Sequence, residues 1–190
     1  MRKAIKYLFN ILLLCYSSIA LGNPTLEDES IYQLHVDLID QSGKQIELDV
    51  YRGHPVLITM FYAHCPYVCP LIINTLQRTE SELTFDQRHQ LRVLLVSLDP
   101  ERDTVHQLAD AARKQNVDTS RWILARANTT DVRRLAAVLG IRFRKLPDGE
   151  FNHTTLITLL DEKGMPVTNS NQLSKTDSEL LGQIQKLTRQ

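Results

Sequence analysis

Apolar residues in this chain fall into short runs with two different spacings. Val56-Leu57-Ile58-Thr59-Met60-Phe61-Tyr62 and Arg92-Val93-Leu94-Leu95-Val96-Ser97-Leu98 are nearly continuous and too short for buried helices, so they predict strands covered on both faces. Tyr32–Asp40 alternates instead, with Leu34, Val36 and Leu38 on one side. A Gln41-Ser42-Gly43-Lys44 turn follows and Gln45–Val50 returns, which predicts a β-hairpin. Helical spacing recurs over Pro70–Leu83, with Leu71, Ile72, Thr75, Leu76 and Thr79 along one side. It recurs again from a cap at Asp103 or Thr104 to Gln115, with Val105, Leu108 and Ala112 facing inward. Trp122–Ala127 predicts a further strand. Thr129 or Thr130 caps a helix Asp131–Leu139 that Gly140 stops. Ile141–Lys145 and Thr154–Leu160 predict strands separated by the turn Pro147-Asp148-Gly149. Glu162-Lys163-Gly164 makes another hairpin turn, and Ser178–Leu187 closes the chain as a helix.

Strand–helix–strand–helix followed by a hairpin and a last helix predicts an α/β fold with crossover helices. The order fits a thioredoxin-like mixed sheet flanked by helices, with an N-terminal β-hairpin and an inserted strand-helix. At 190 residues the chain suffices for one well-cored domain. Its start is of another kind. Arg2, Lys3 and Lys6 precede an apolar stretch from Tyr7 to Leu21, and Ala20 and Gly22 put small residues at −3 and −1 of a cleavage point before Asn23. That pattern describes a signal peptide or N-terminal anchor over 1–22, a flexible polar tether over 23–31 and the folded domain over 32–188. The apolar run is shorter than the roughly 20 residues of a membrane span and is interrupted by Asn10, Ser17 and Ser18, which favours export to the periplasm or anchoring in the inner membrane facing it. Bulky Leu14 before Cys15 argues against lipidation there.

Charge adds an exclusion. The chain balances 22 Lys and Arg against 22 Asp and Glu. Residues 1–22 carry three of the basic groups and no acidic one, so the remainder has a formal charge of −3. No basic run marks a nucleic-acid surface. With Cys15 in the leader, Cys65 and Cys69 are the thiols of the domain, at the end of the Val56–Tyr62 strand where a helix is expected to begin. An i,i+4 pair on a first helical turn points both sulfurs to one side. Helix dipole and free N–H groups favour a thiolate there. The pair has one residue more than the C-x-x-C of redox enzymes on such folds. Two chemistries are open to it: a disulfide, or a soft metal such as Cu(I).

Zinc requires more ligands than two cysteines, so histidines matter. His35, His89 and His106 sit among charged neighbours and read as surface residues, and His54 precedes Pro55 in a turn. His64 adjoins Cys65, but successive side chains on extended backbone point apart. His153 enters the strand Thr154–Leu160 after a Pro-Asp-Gly turn, and in a thioredoxin-like sheet that strand's start can lie beside the cysteine turn. Trp122, Phe143 and Met60 read as core. Arg102 and Asp103 read as a local ion pair, with Asp103 capping the next helix.

Three motifs in order resemble the SCO/SenC/PrrC family of thioredoxin-fold proteins. They are Cys65-Pro66-Tyr67-Val68-Cys69-Pro70, Ser97-Leu98-Asp99-Pro100-Glu101-Arg102-Asp103-Thr104 and Asn152-His153-Thr154. The resemblance covers roughly residues 32–188. It implies copper, preferably Cu(I), held by Cys65, Cys69 and His153. It also implies a metallochaperone role toward cytochrome c oxidase subunit II or another cuproprotein client, supplied by an upstream copper donor. The alternative it carries is a thiol–disulfide oxidoreductase working through Cys65 and Cys69, with Cys65 as attacking thiol. Two positions depart from the family pattern: Tyr67 and Asn152 stand where acidic residues are usual.

Overall fold

The computed structural model describes residues 30–189 except Pro66. The expected leader (1–22) and all but Ser30 and Ile31 of the expected tether (23–31) lie outside the described residues. The described residues form nine strands: β1 Leu38–Asp40, β2 Gln45–Ile46, β3 Val56–Phe61, β4 Arg92–Ser97, β5 Trp122–Arg126, β6 Phe143–Lys145, β7 Phe151–His153, β8 Ile157–Leu160 and β9 Pro166–Ser170. Five α-helices accompany them: α1 Val68–Ser81, α2 Phe85–Gln90, α3 Val105–Lys114, α4 Thr129–Val138 and α5 Ser178–Leu187. Seven strands form one mixed sheet in the order β2-β1-β5-β4-β3-β8-β9, and β6 and β7 pair as a separate hairpin.

β3, β4 and β5 are parallel, while β8 runs antiparallel to β3 and β1 antiparallel to β5. Every residue of β3 is buried, as its unbroken apolar run required. Leu57 and Phe61 pack on one side against Ile72 and Leu76 of α1, Leu108 of α3 and Ile184 of α5. Ile58 and Met60 pack on the other against Val132 and Leu135 of α4 and the N-terminal turns. Chain growth reverses at β3: β4 and β5 are added on one side of it, β8 and β9 on the other. A crevice at the carboxyl end of such a strand is the usual ligand position in open α/β sheets, and both cysteines follow that end of β3.

The fold class matches the sequence expectation; several local boundaries differ. The N-terminal hairpin is only β1 and β2, because 3₁₀ turns at Ile31–Gln33 and Leu48–Tyr51 flank it. Leu48 and Tyr51 are both buried, and a three-residue period puts i and i+3 on one side. The predicted strand Thr154–Leu160 begins only at Ile157. His153 therefore ends β7 of the separate hairpin and does not open a strand of the main sheet. Helix α2 has no buried residue and so no apolar pattern to betray it; its signature is a capping box between Thr84 and Gln87. Asn128, not Thr129 or Thr130, caps α4 by accepting from the Asp131 N–H.

Candidate metal centre

Helix α1 starts at Val68, which makes Cys69 its second residue and leaves Cys65 in the loop before it. The expected pair on one helical turn is corrected accordingly: the sulfurs meet because the loop folds back, through a Cys65 N–H to Tyr62 carbonyl bond of 3.2 Å. The N-cap residue Tyr67 offers no side-chain acceptor. Cys65 Sγ takes that place and accepts the free N–H of Cys69 at 3.3 Å. Cys69 Sγ in turn accepts the N–H of Tyr62 at 3.3 Å. Pro70 needs no N–H partner in the first turn. Both cysteines are free and buried, with 8% and 3% exposure.

Their environments pull the two thiols apart. Cys65 is lowered to about 5, first by a hydrogen bond from the Cys69 thiol, then, against the cost of burial, by the N–H groups of Cys69 and Tyr67 and the Tyr62 hydroxyl. Cys69 is pushed up by that same bond to Cys65 and by burial. These surroundings favour charge on Cys65 and oppose it on Cys69.

An aspartate that the sequence reading had assigned elsewhere fixes the loop. Asp103 is fully buried, and its carboxylate accepts the Ala63 N–H at 2.9 Å and the Ser97 hydroxyl at 2.6 Å. His64 Nδ1 lies 3.1 Å from its other oxygen. Asp103 neither caps α3 nor pairs with Arg102. Thr104 caps α3, in a capping box with Gln107. The Arg102 guanidinium bonds Asp99 and the Gly149 carbonyl, tying the β4 end to the turn of the β6–β7 hairpin. The sequence clue was two capping candidates in succession, of which a helix uses one.

Tyr62 joins the parts. Its backbone holds Cys69, its hydroxyl donates to Glu150 Oε2 at 2.8 Å, and its ring packs on Phe151 at 5.3 Å. The edge contact of that ring with His153 spans 6.0 Å between centroids. His153 Nδ1 lies 3.2 Å from the Thr154 carbonyl, and a proton on Nδ1 leaves Nε2 as the free lone pair. The structure thus brings Cys65 and Cys69 together and sets His153 one tyrosine ring away. Among the described residues no three His, Cys, Asp or Glu side chains are gathered at coordinating distance. His35, His64, His89 and His106 are exposed, and His54 contacts Arg92 at 3.3 Å. Tyr67 and Asn152 are exposed as well. Glu150, which the sequence reading did not single out, is the carboxylate that reaches the Tyr62 hydroxyl beside Cys65.

A model of the SCO1/SenC family matches residues 25–189. The chain belongs to the SCO1/SenC family. Among curated relatives, a Stutzerimonas stutzeri protein named as copper-binding is 26% identical over 108 residues, 57% of this chain and 52% of that protein. Mitochondrial protein SCO2 of Saccharomyces cerevisiae is 30% identical over 89 residues, 47% of this chain and 26% of its own length. The SCO1/SenC chain thus spans about half, or less, of these curated relatives. Among solved structures, Bradyrhizobium japonicum ScoI with copper bound is similar with a TM-score of 0.68 and 25% identity, covering 80% of this chain and 97% of that one. A SCO1/SenC family lipoprotein from Bacillus anthracis gives a TM-score of 0.73 at 19% identity, with 82% and 94% covered; it supports the fold.

Proposed function

We propose that this SCO1/SenC protein carries Cu(I) on Cys65, Cys69 and His153 and delivers it during assembly of the copper sites of cytochrome c oxidase, with subunit II as client and an upstream donor as source. One observation carries the proposal: two buried, unpaired cysteines converge at a helix N-terminus, where N–H groups favour the thiolate form of Cys65. Two sulfurs in apolar surroundings are a soft donor set of the kind Cu(I) prefers. The copper named for the Stutzerimonas relative and for Bradyrhizobium ScoI supports it. The His153 imidazole completes the set when the β6–β7 hairpin moves toward the sulfurs. Copper is cargo here, and the working domain (32–188) stands in the periplasm on a tether (23–31), behind a leader or anchor over residues 1–22. Among the described residues no helix is long and apolar enough to cross a membrane.

Competition of the reduced protein with a Cu(I) chelator tests this. Cys65→Ser and Cys69→Ser abolish tight binding and His153→Ala weakens it at least tenfold; equal affinity in His153→Ala removes that residue from the set. The second reading, a thiol–disulfide reductase, is favoured by the asymmetry of the pair, because an attacking thiolate beside a neutral resolving thiol is what exchange requires. Rapid reduction of a disulfide-bonded client by copper-free protein supports that reading, and inertness removes it.

A further inference from the structure

The β6–β7 hairpin does more than carry His153. Between it, α4 and the loop after β4 lies a groove of about 680 Å³. Its floor is apolar, including Val132, Ile141, Phe143 and Phe151. The Phe143 and Phe151 rings pack there at 6.2 Å. Its rim is cationic. Arg133, Arg142 and Arg144 are exposed along it, and among the described residues none of the three has a carboxylate partner. The two acidic residues of the lining are already answered: Lys145 lies 3.6 Å from Asp99 and 3.4 Å from Glu101, and Arg102 also holds Asp99. Three unneutralised guanidiniums over an aromatic floor are a local feature, since the chain as a whole is neutral.

Register places this groove against the metal site. Phe143 pairs directly with His153 and Arg144 with Asn152 across the hairpin. β6 is one strand spacing, about 5 Å, from the backbone of His153, so an occupant lying along the outer edge of β6 is about two spacings from it. We propose that the groove docks an acidic polypeptide segment with an apolar side chain at its centre, belonging to the protein that exchanges copper with this chain. The identity of that partner rests on the copper reading above; the chemistry of the segment does not. Guanidiniums fork onto carboxylates, and the Phe143–Phe151 floor takes the apolar anchor that a free phosphate or an RNA backbone lacks. A concave site suits a side chain better than a membrane face, which needs a flat or protruding surface.

The test uses the reduced, copper-free full chain and a fluorescein-labelled twelve-residue peptide with glutamates flanking a central Phe-Leu. Fluorescence polarisation in about 50 mM NaCl should register binding that falls steeply at about 500 mM, as screening requires. Replacing the glutamates by lysines should abolish binding, and replacing Phe-Leu by Ser-Ser should weaken it. The triple variant Arg133→Glu/Arg142→Glu/Arg144→Glu should lose at least tenfold in peptide affinity and the corresponding Gln triple somewhat less, with unchanged circular dichroism and unchanged Cu(I) affinity. Equal peptide affinity in both triple variants overturns the proposal, as does equal binding of the lysine peptide. Tighter association with phosphatidylglycerol vesicles than with the peptide, lost in the same variants, overturns it in favour of a lipid surface. A folded triple variant with impaired Cu(I) binding also overturns it, because the arginines would then belong to the metal site. Wild type that binds the peptide but no Cu(I) overturns the copper reading and leaves the groove standing.

Discussion

At the scale of single residues, the two cysteines differ in acidity because their surroundings favour charge on Cys65 and oppose it on Cys69. The absorbance of thiolate in the reduced apoprotein should therefore rise by one equivalent as pH increases through about 5, with no second step up to pH 9. Below that midpoint Cys65 is protonated and the bond from Cys69 loses its charge. Cu(I) binding at pH 7 should release close to one proton, the one on Cys69, whereas a pair of ordinary thiols releases about two; a pH-indicator titration distinguishes the two. Tyr62→Phe removes a polar hydroxyl beside Cys65 that favours its charged form, so the midpoint should move up. Asp103 has a different importance. Asp103→Ala leaves the Ala63 N–H and the Ser97 hydroxyl without their acceptor in a buried site and should cost about 2–4 kcal/mol in urea denaturation. A conservative surface exchange at His106, which is 81% exposed, should cost nothing measurable.

At the scale of elements, α1 borrows its cap from the cysteine loop. Cys65→Ser keeps an acceptor for the Cys69 N–H, while Cys65→Ala loses it and should destabilise the fold by about 1 kcal/mol more than the serine variant does. The β6–β7 hairpin is held more by side chains than by sheet pairing, with Phe143 and Phe151 packed against the core. It stands outside the seven-stranded sheet, and a two-stranded hairpin is marginal on its own. Its polar ties are Tyr62 to Glu150, Arg102 to Gly149, and Lys145 to Asp99 and Glu101. Amide exchange in β6 and β7 should be much faster than in β3, and Cu(I) should slow it selectively if His153 closes on the sulfurs. Unchanged exchange on metal binding would leave His153 outside the coordination step. The β8–β9 turn is rigid by contrast: Gly164 has φ +81°, and a methyl group there would meet the Tyr32 ring at 2.6 Å, so Gly164→Ala should destabilise through both strain and clash.

At the scale of the whole molecule, the two-sided core around β3 holds the site in place. Leu57, with no exposure, packs in the same cluster as Cys65 and Cys69, and Leu57→Ala should cost about 2–5 kcal/mol and lower the thermal midpoint accordingly. What was legible in the sequence follows from that core. A strand buried on both faces must be apolar throughout, so β3 and β4 could be read directly, and with them the α/β class and the strand-to-helix setting of the cysteines. The three motifs were local in sequence, and they indicated the family and the candidate ligands. Contacts between distant segments were not legible. A buried aspartate and a capping aspartate look alike in a linear chain, so the tie from Asp103 to the cysteine loop emerged only when β4 lay beside β3. Thr154–Leu160 is apolar enough for a strand over its whole length, yet the chain leaves the sheet before Ile157 because β6 pairs with β7 instead. The sequence alone thus determined which groups are available: two soft sulfurs, an imidazole and the helix start that favours a thiolate. Tertiary structure alone decided which sulfur its surroundings favour as a thiolate, the placing of His153 on a separate hairpin behind Tyr62, and the cationic groove beside it, because hydrogen bonds and burial depend on which distant residues are folded against each group.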